Sequence, residues 1–227
     1  ESYDAMIERI YELMEKNIKD MDEKRRLELD SLQQQINPHF LYNTLDAIAW
    51  MAKIKKEPEI EKLVMSLAKF FRISLHRGDT IITVGEEIEL TQHYLEIQEI
   101  RFPNRFDITY DIDPNVKNYK TLKLLLQPVV ENAIKYGMQE QSGTIVISVK
   151  KIDENIVYSV KDNGEGFDVP KDMLSRPYGT MLENRSGYGL FNINERIRLE
   201  YGAGYGLKID SEKGKGTTVY ITIPIKK

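Results

Sequence analysis

None of the 14 glycines precedes Gly78, and ten of them stand at or after Gly164. Glycine is the residue that opens left-handed backbone and lets two chain segments touch. A front third without it suits long helices, and a glycine-rich back half suits turns and ligand loops. The break places a join near Arg77-Gly78-Asp79. A length of 227 residues fits one or two domains.

The front reads as helix throughout. Ile7, Tyr11, Met14, Ile18, Met21, Arg25, Leu29, Leu32 and Ile36 are spaced by alternating steps of three and four, which describes a coiled-coil seam. The doubled step of four at Met21, Arg25 and Leu29 reads as a stutter. The other reading is an amphipathic helix lying on its own domain, and the broad polar faces favour the seam. Pro38 lacks a backbone donor and should kink or restart the helix. A second apolar pattern runs through Leu41, Leu45, Ile48, Ala49 and Trp50. After a turn at Lys55-Lys56-Glu57-Pro58, a further helix from about Glu59 to Leu75 carries Ile60, Leu63, Val64, Leu67, Phe70 and Phe71. Two copies of this hairpin would make a four-helix bundle.

The back half mixes periods. Helix is expected over Glu86–Arg101, Leu122–Tyr136 and Gly189–Tyr201. Strands are expected over Phe106–Ile112, Thr144–Lys150, Ile156–Val160, Leu207–Ser211 and Thr217–Ile223. The expected fold class is α+β, an antiparallel sheet covered on one face by helices.

Composition excludes several functions. Apolar residues make up 41% and charged residues 30%, enough for a packed core and unlike a disordered chain. The net charge of −4 argues against a general nucleic-acid binder, and none is expected as a partner. With no cysteine, disulfides, Cys-zinc sites and thiol catalysis are out. No apolar run reaches the roughly 18 residues that span a bilayer. The first residue is Glu1 rather than Met, so the chain reads as part of something longer.

Four features in the back half carry chemistry. Glu131-Asn132-Ala133-Ile134-Lys135-Tyr136 puts an amide on an otherwise apolar helix. Asn132 reads either as a hard oxygen ligand for Mg²⁺ beside a phosphate, with Lys135 neutralising charge, or as a polar residue capping a neighbouring loop. In Asp162-Asn163-Gly164-Glu165-Gly166-Phe167 the carboxylate can accept from an exocyclic amino group such as that of adenine, and Gly164 and Gly166 let backbone approach a flat base; a plain turn has the same composition. Gly187-Tyr188-Gly189-Leu190 opens a helix, where consecutive N–H groups suit phosphate oxygens. Gly214-Lys215-Gly216-Thr217 is a hairpin turn from which Thr217 can reach a base. There is no Walker A loop.

Taken in order over residues 85–227, these four resemble the N box and three G boxes of the GHKL ATPases, which include sensor histidine kinases, gyrase, Hsp90 and MutL. Gln35-Ile36-Asn37-Pro38-His39-Phe40-Leu41-Tyr42-Asn43-Thr44-Leu45 resembles the phosphoacceptor segment of the LytS/YesM-like sensor histidine kinases. Leu126-Gln127-Pro128-Val129-Val130-Glu131-Asn132-Ala133, and Tyr94-Leu95 through Arg101-Phe102, are similar to the same subgroup. Ser2-Tyr3-Asp4-Ala5-Met6 resembles the end of a HAMP signalling domain.

The resemblance implies a signalling coiled-coil helix over 1–36, a dimerising helical hairpin with the phosphoacceptor over 37–78, and a GHKL (Bergerat-type) α/β sandwich over 79–227. It implies a homodimeric histidine kinase, the cytoplasmic part of a membrane sensor whose anchor lies outside this chain. His39 would take the phosphoryl group from ATP·Mg²⁺ and pass it to an Asp of a response regulator. Asn132, Lys135, Tyr136, Asp162, Gly164, Gly166, Gly187, Gly189 and Thr217 would hold the nucleotide, with Asn132 on Mg²⁺. Asn43 stands where some relatives carry a residue that positions water for dephosphorylation. Three departures matter. Phe40 replaces the acid that often follows the His, which leaves Glu131 as a candidate base. Pro128 replaces a second Asn, and Tyr136 stands where many subgroup members have His. A metal role for His39 is disfavoured, since its i+3 and i+4 neighbours are Tyr42 and Asn43. Asp168–Ser186 reads as a lid. The rival function is a phosphatase or nucleotide-gated scaffold of the same fold.

Overall fold

A computed structural model describes residues 38–75, 80–137, 143–170, 174 and 188–226. The coiled-coil segment 1–36, the lid beyond residue 170 apart from Leu174, and Gly187 lie outside the described residues. Proximity divides the chain into residues 1–44 and 45–227.

Helix α1 (Pro38–Ile54) begins on its proline, whose fixed φ and missing N–H suit a first turn. Lys56 turns the chain at φ 59°, and Glu57 donates its N–H to the Ala52 carbonyl at 3.0 Å. Helix α2 (Pro58–Ser74) again starts on proline, with Glu59 and Glu61 in the first turn and Arg72 in the last, matching the helix dipole. Strand β1 (Ile81–Thr83) leads into helix α3 (Val84–Arg101) through a capping box. The Thr83 hydroxyl accepts from Glu86 N–H at 3.1 Å, and the Glu86 carboxylate accepts from Thr83 N–H at 2.7 Å. Helix α2 packs along α3, with the Ser66 hydroxyl donating to Glu96 at 2.5 Å and the Phe70 and Tyr94 rings 6.3 Å apart. His93 is buried on α3 between Glu96 and Glu89, at 3.1 and 3.4 Å.

The main sheet has five strands: β2 (Phe106–Ile112), β4 (Gly143–Ile152), β5 (Asn155–Asp162), β6 (Gly206–Glu212) and β7 (Gly216–Pro224). Their order is β2-β4-β5-β7-β6. It is mixed rather than the antiparallel sheet expected. β2 runs parallel to β4 because the chain between them crosses over through β3 (Lys120–Leu122) and helix α4 (Leu126–Gly137), and a parallel pair requires such a crossover. The other three pairings are antiparallel. β4 alternates buried and half-buried residues, so one face looks into the core. That core joins Ile145, Ile147 and Val149 of β4 to Leu126 and Val130 of α4 and Ile193 and Ile197 of helix α5 (Tyr188–Tyr201).

The start of α4 departs from the helix expected over Leu122–Tyr136. Thr121 and Leu122 pair with β1, and Leu124 takes φ 62° before the helix begins. Wholly buried Glu87, on α3, accepts from the N–H groups of Leu124, Leu125 and Leu126 at 2.8, 2.7 and 2.8 Å. The free donors at the entrance to α4 are thus satisfied by a carboxylate from another helix. Burial pushes Glu87 up to about 7, against the pull of these three bonds and of Arg196. Arg196 in turn donates to the Lys123 carbonyl at 2.8 Å.

Candidate functional site

A cavity of about 350 Å³ opens between α4, the end of β5, β7 and the start of α5. Helical spacing puts Val129, Asn132, Ala133 and Tyr136 on one face of α4, and all four line it. Val160, Phe167, Leu190 and Val219 make it largely apolar, and the polar groups are few. This combination suits a flat heterocycle fixed by a small number of directional bonds.

Asp162 lies at the bottom as the last residue of β5 and is buried. Its Oδ1 accepts from Gly164 N–H at 3.0 Å and from Thr217 N–H at 3.2 Å. Those bonds fix the carboxylate through Oδ1, and no hydrogen bond among the described residues occupies Oδ2. Burial raises Asp162 above the usual carboxylate range, opposed by the two N–H bonds. The loop after it is held by its own side chains. Asn163 accepts from Thr144 N–H at 2.7 Å, and Phe167 N–H donates to the Ser211 hydroxyl at 2.9 Å. Ser211 and Thr217 hydroxyls meet at 2.9 Å, which seats Thr217 on the cavity wall.

Two glycines are required here for different reasons. A Cβ on Gly164 would lie 2.2 Å from the Gly137 Cα, so loop and α4 touch backbone to backbone. Gly166 has φ 61°, and a Cβ there would lie 2.1 Å from the Glu212 carbonyl oxygen. Gly164→Ala is therefore expected to push the Asp162 loop off α4. It should weaken ligand binding at this cavity at least about tenfold while lowering the unfolding free energy by about 1–3 kcal/mol, read by titration and denaturant melts.

The structure gathers Asn132, Tyr136, Asp162, Gly166 and Thr217 around one cavity, with Gly164 behind Asp162. Gly189 is exposed at the start of α5, facing Pro128 at 3.6 Å from its would-be Cβ. Lys135 and Glu131 stand apart. Both are exposed on the other flank of α4 and line a second cavity with Tyr94, Gln98, Arg101, Phe102, Arg105, Phe106 and Ile134. His39 and Asn43 lie exposed on α1 one turn apart, with the Asn43 Nδ2 and His39 Nδ1 at 3.2 Å. Gly137, which meets both Gly164 and Asp162, is a site residue that the motifs do not mark. Its one signal is its place five residues after Asn132, where α4 ends against the loop.

Comparison with known proteins matches the same stretches. Residues 27–106 match the histidine kinase family model, and residues 117–227 match that of the histidine kinase-, DNA gyrase B- and HSP90-like ATPases. The sensor histidine kinase YesM of Bacillus subtilis is 43% identical over 228 residues, covering 99% of this chain and 38% of the relative. The sensor protein LytS of Staphylococcus haemolyticus is 36% identical over 201 residues, covering 87% of this chain and 34% of the relative. The chain thus spans well under half the length of these curated relatives. Among solved structures, the catalytic domain of histidine kinase ThkA is 18% identical with a TM-score of 0.51, covering 64% of this chain and 96% of that domain, a likeness of fold. Two family models in tandem and relatives aligned along nearly the whole chain agree with the cavity and its loops: the chain belongs to the LytS/YesM-like histidine kinases.

Proposed function

We propose that the chain is the kinase-bearing part of a two-component sensor, which binds ATP with Mg²⁺, phosphorylates its own His39 and passes the phosphoryl group to an Asp of a response regulator. The observation that carries this reading is the buried Asp162, fixed through Oδ1 with no hydrogen bond on Oδ2 among the described residues, in a largely apolar cavity that Asn132 also lines. Val160, Phe167, Leu190 and Val219 would hold the adenine ring, and Asp162 would accept from its amino group with Thr217 beside it. Tyr136, 38% exposed, stacks at the mouth, against base or sugar.

Asn132 fits a magnesium site. Its side chain lines the cavity, and an amide oxygen is a hard donor of the kind Mg²⁺ takes. Among the described residues no cluster of three or more His, Cys, Asp or Glu forms a metal cage. That donor set matches Mg²⁺ held by one amide oxygen, phosphate oxygens and water. Bound there, the ion would neutralise charge on the phosphates. The transfer itself belongs to His39. An imidazole nitrogen lone pair forms the N–P bond as the bond from phosphorus to the β–γ bridging oxygen breaks, and ADP leaves. The ring proton passes to a base, for which Glu131 is the candidate. A carboxylate of the regulator then attacks the phosphohistidine phosphorus and returns the imidazole. Asn43 orients the ring. Turned one way its amide donates to Nδ1, and turned the other its oxygen accepts from Nδ1–H and leaves the Nε2 lone pair outward. The same side chain is placed to hold a water for dephosphorylation.

Homodimerisation is supported by α1, where Phe40, Trp50, Met51 and Ile54 are 70, 64, 53 and 64% exposed. So much apolar surface on one short helix is a surface to be covered. In this reading residues 1–36 carry the signal, 37–78 form the dimer and 79–227 bind the nucleotide. No helix among the described residues is long and apolar enough to cross a membrane.

The test is calorimetry with Mg·ATP on the wild type and Asp162→Asn. The Asn oxygen keeps both backbone bonds but turns an amino group toward adenine, donor against donor. Losing a charged acceptor costs about 1.5–3 kcal/mol, so affinity should fall about tenfold to hundredfold with the fold intact. No binding to the wild type, or equal binding to both, sinks the reading.

A further inference from the structure

The nucleotide cavity is lined by few charged groups among the described residues. Among its described lining residues there is no Lys, Arg or His, and two acids, Asp162 and Glu165. A nucleoside triphosphate brings up to four negative charges, and a single divalent ion offsets half of them. Among the described residues, a concentration of positive charge lies on the other flank of α4. The second cavity, about 610 Å³, has Arg101 and Lys135 against one acid, Glu131, beside Arg105, which has an interaction of its own. That excess stands on a chain of net charge −4.

Arg101 and Lys135 make no ion pair among the described residues. The Arg101 guanidinium lies 4.9 Å from the ring centre of Phe102, and the Lys135 ammonium 4.9 Å from that of Tyr136. Ring contacts of this kind hold a cation without neutralising it. One of them lies where the linings of the two cavities adjoin in sequence. Tyr136 lines the first, Lys135 the second, and the contact between them runs over the exposed side of α4. Consecutive residues repeat the arrangement one turn earlier, with Asn132 in the first cavity and Glu131 in the second. A polyphosphate leaving the adenine cavity past Asn132 therefore meets Lys135 and then Arg101. Tyr94 ties the second site together, its hydroxyl pushed up to about 12 by burial and by Glu131, with Arg101 opposing.

We propose that the cavity between α3 and α4 seats the terminal phosphate of the bound nucleoside triphosphate, with Arg101 as its principal cation. The proposal rests on the nucleotide reading of the first cavity and adds to it a residue outside all four boxes. A guanidinium presents a planar fork of donors to phosphate oxygens, and at the end of α3 it projects from a rigid element. The site would then distinguish triphosphate from diphosphate.

The experiment is calorimetry on the whole 227-residue chain with Mg²⁺, using ADP, the imido-bridged non-hydrolysable ATP analogue and inorganic phosphate, for wild type, Arg101→Ala and Arg101→Lys. The expected result is a tenfold to hundredfold loss of analogue affinity in Arg101→Ala, the size of one charged hydrogen-bonded contact, with ADP affinity within twofold of wild type and partial recovery in Arg101→Lys. Unchanged ADP binding also reports that the variant is folded. Equal losses for ADP and analogue, or no loss for either, overturn the proposal while leaving the nucleotide site standing. Heat from inorganic phosphate that vanishes in Arg101→Ala, with the analogue unaffected, gives the cavity to a separate anion and overturns it too. Failure of ADP to bind the wild type removes the nucleotide reading itself, a result distinct from all of these.

Discussion

Incubated with γ-labelled ATP and Mg²⁺, the His39→Gln chain is expected to stay at background, whereas the unaltered chain acquires acid-labile, base-stable label. The chemistry leaves little room for a partial effect. A neutral imidazole offers a nitrogen lone pair near pH 7, while the lone pair of a carboxamide nitrogen is delocalised into its carbonyl. The substitution is also mild for the fold. His39 is exposed in the first turn of α1, and glutamine is a better helix former there than histidine. Adenine-nucleotide affinity should be unchanged, because the Asp162 cavity contains no part of α1. Label lost with binding retained assigns the acceptor. Equal labelling of both chains moves the acceptor to another residue, and loss of binding with loss of label would mean the substitution acted through the fold.

That experiment could be designed from the sequence, because the features it depends on are local. An Asp at a strand end followed by two glycines, an Asn on an apolar helix, and a Thr after a glycine turn are fixed by chemistry within a few residues, so spacing carries them. Asn132, Asp162, Gly166 and Thr217 were legible for that reason, and they converge on one cavity. The elements were legible where one face is buried, as in β4, whose alternation is clean. Three things were not. The direction of β2 depends on the path of the chain between it and β4, which no residue of either strand encodes. β1 and β3 are three residues each, too short for a period, and exist only by pairing with one another. Lys135 reads beside Asn132 as one phosphate-binding unit, yet Asn132 stands at the edge of the face it shares with Val129, Ala133 and Tyr136, and one further step round the helix puts Lys135 in the other cavity with Glu131 and Ile134. The role proposed for Arg101 follows from that division, since it rests on Arg101 and Lys135 lining one cavity. Glu87 was hidden by a different logic. Amid Val84, Ile88 and Leu90 it looks like an ordinary charge in the first turn of a helix, and its three partners lie about 38 residues further on.

Glu87→Ala is expected to destabilise the fold more than Gly164→Ala, Asp162→Asn or Arg101→Ala. The side chain is wholly buried, and its two oxygens hold three backbone N–H groups that otherwise face the core. Each buried donor left without an acceptor costs about 1–3 kcal/mol. Even with one donor relieved by relaxation, the other two imply a loss of about 2–6 kcal/mol in unfolding free energy, reaching the range of broken buried networks. Arg196 loses its opposite charge at the same time. The damage should also reach the nucleotide cavity, because α4 begins at Leu126 and carries Asn132 and Tyr136. Denaturant melts and Mg·ATP calorimetry should therefore fail together. Glu87→Gln separates charge from hydrogen bonding. Its amide oxygen can still accept from Leu125 and Leu126, so it should cost less than the alanine, but it does not titrate. In the wild type, burial raises the Glu87 pKa from 4.5 to about 7, so between those values the folded chain holds a proton that the unfolded chain has released. The stabilising contribution of that proton is complete below about 4.5 and is lost as pH rises through about 7. Melts from pH 5 to pH 8 should show this decline in the wild type and a shallower one in Glu87→Gln. Parallel slopes would mean that the three N–H groups keep the carboxylate ionised in spite of its burial, leaving the clamp on α4 intact but insensitive to pH.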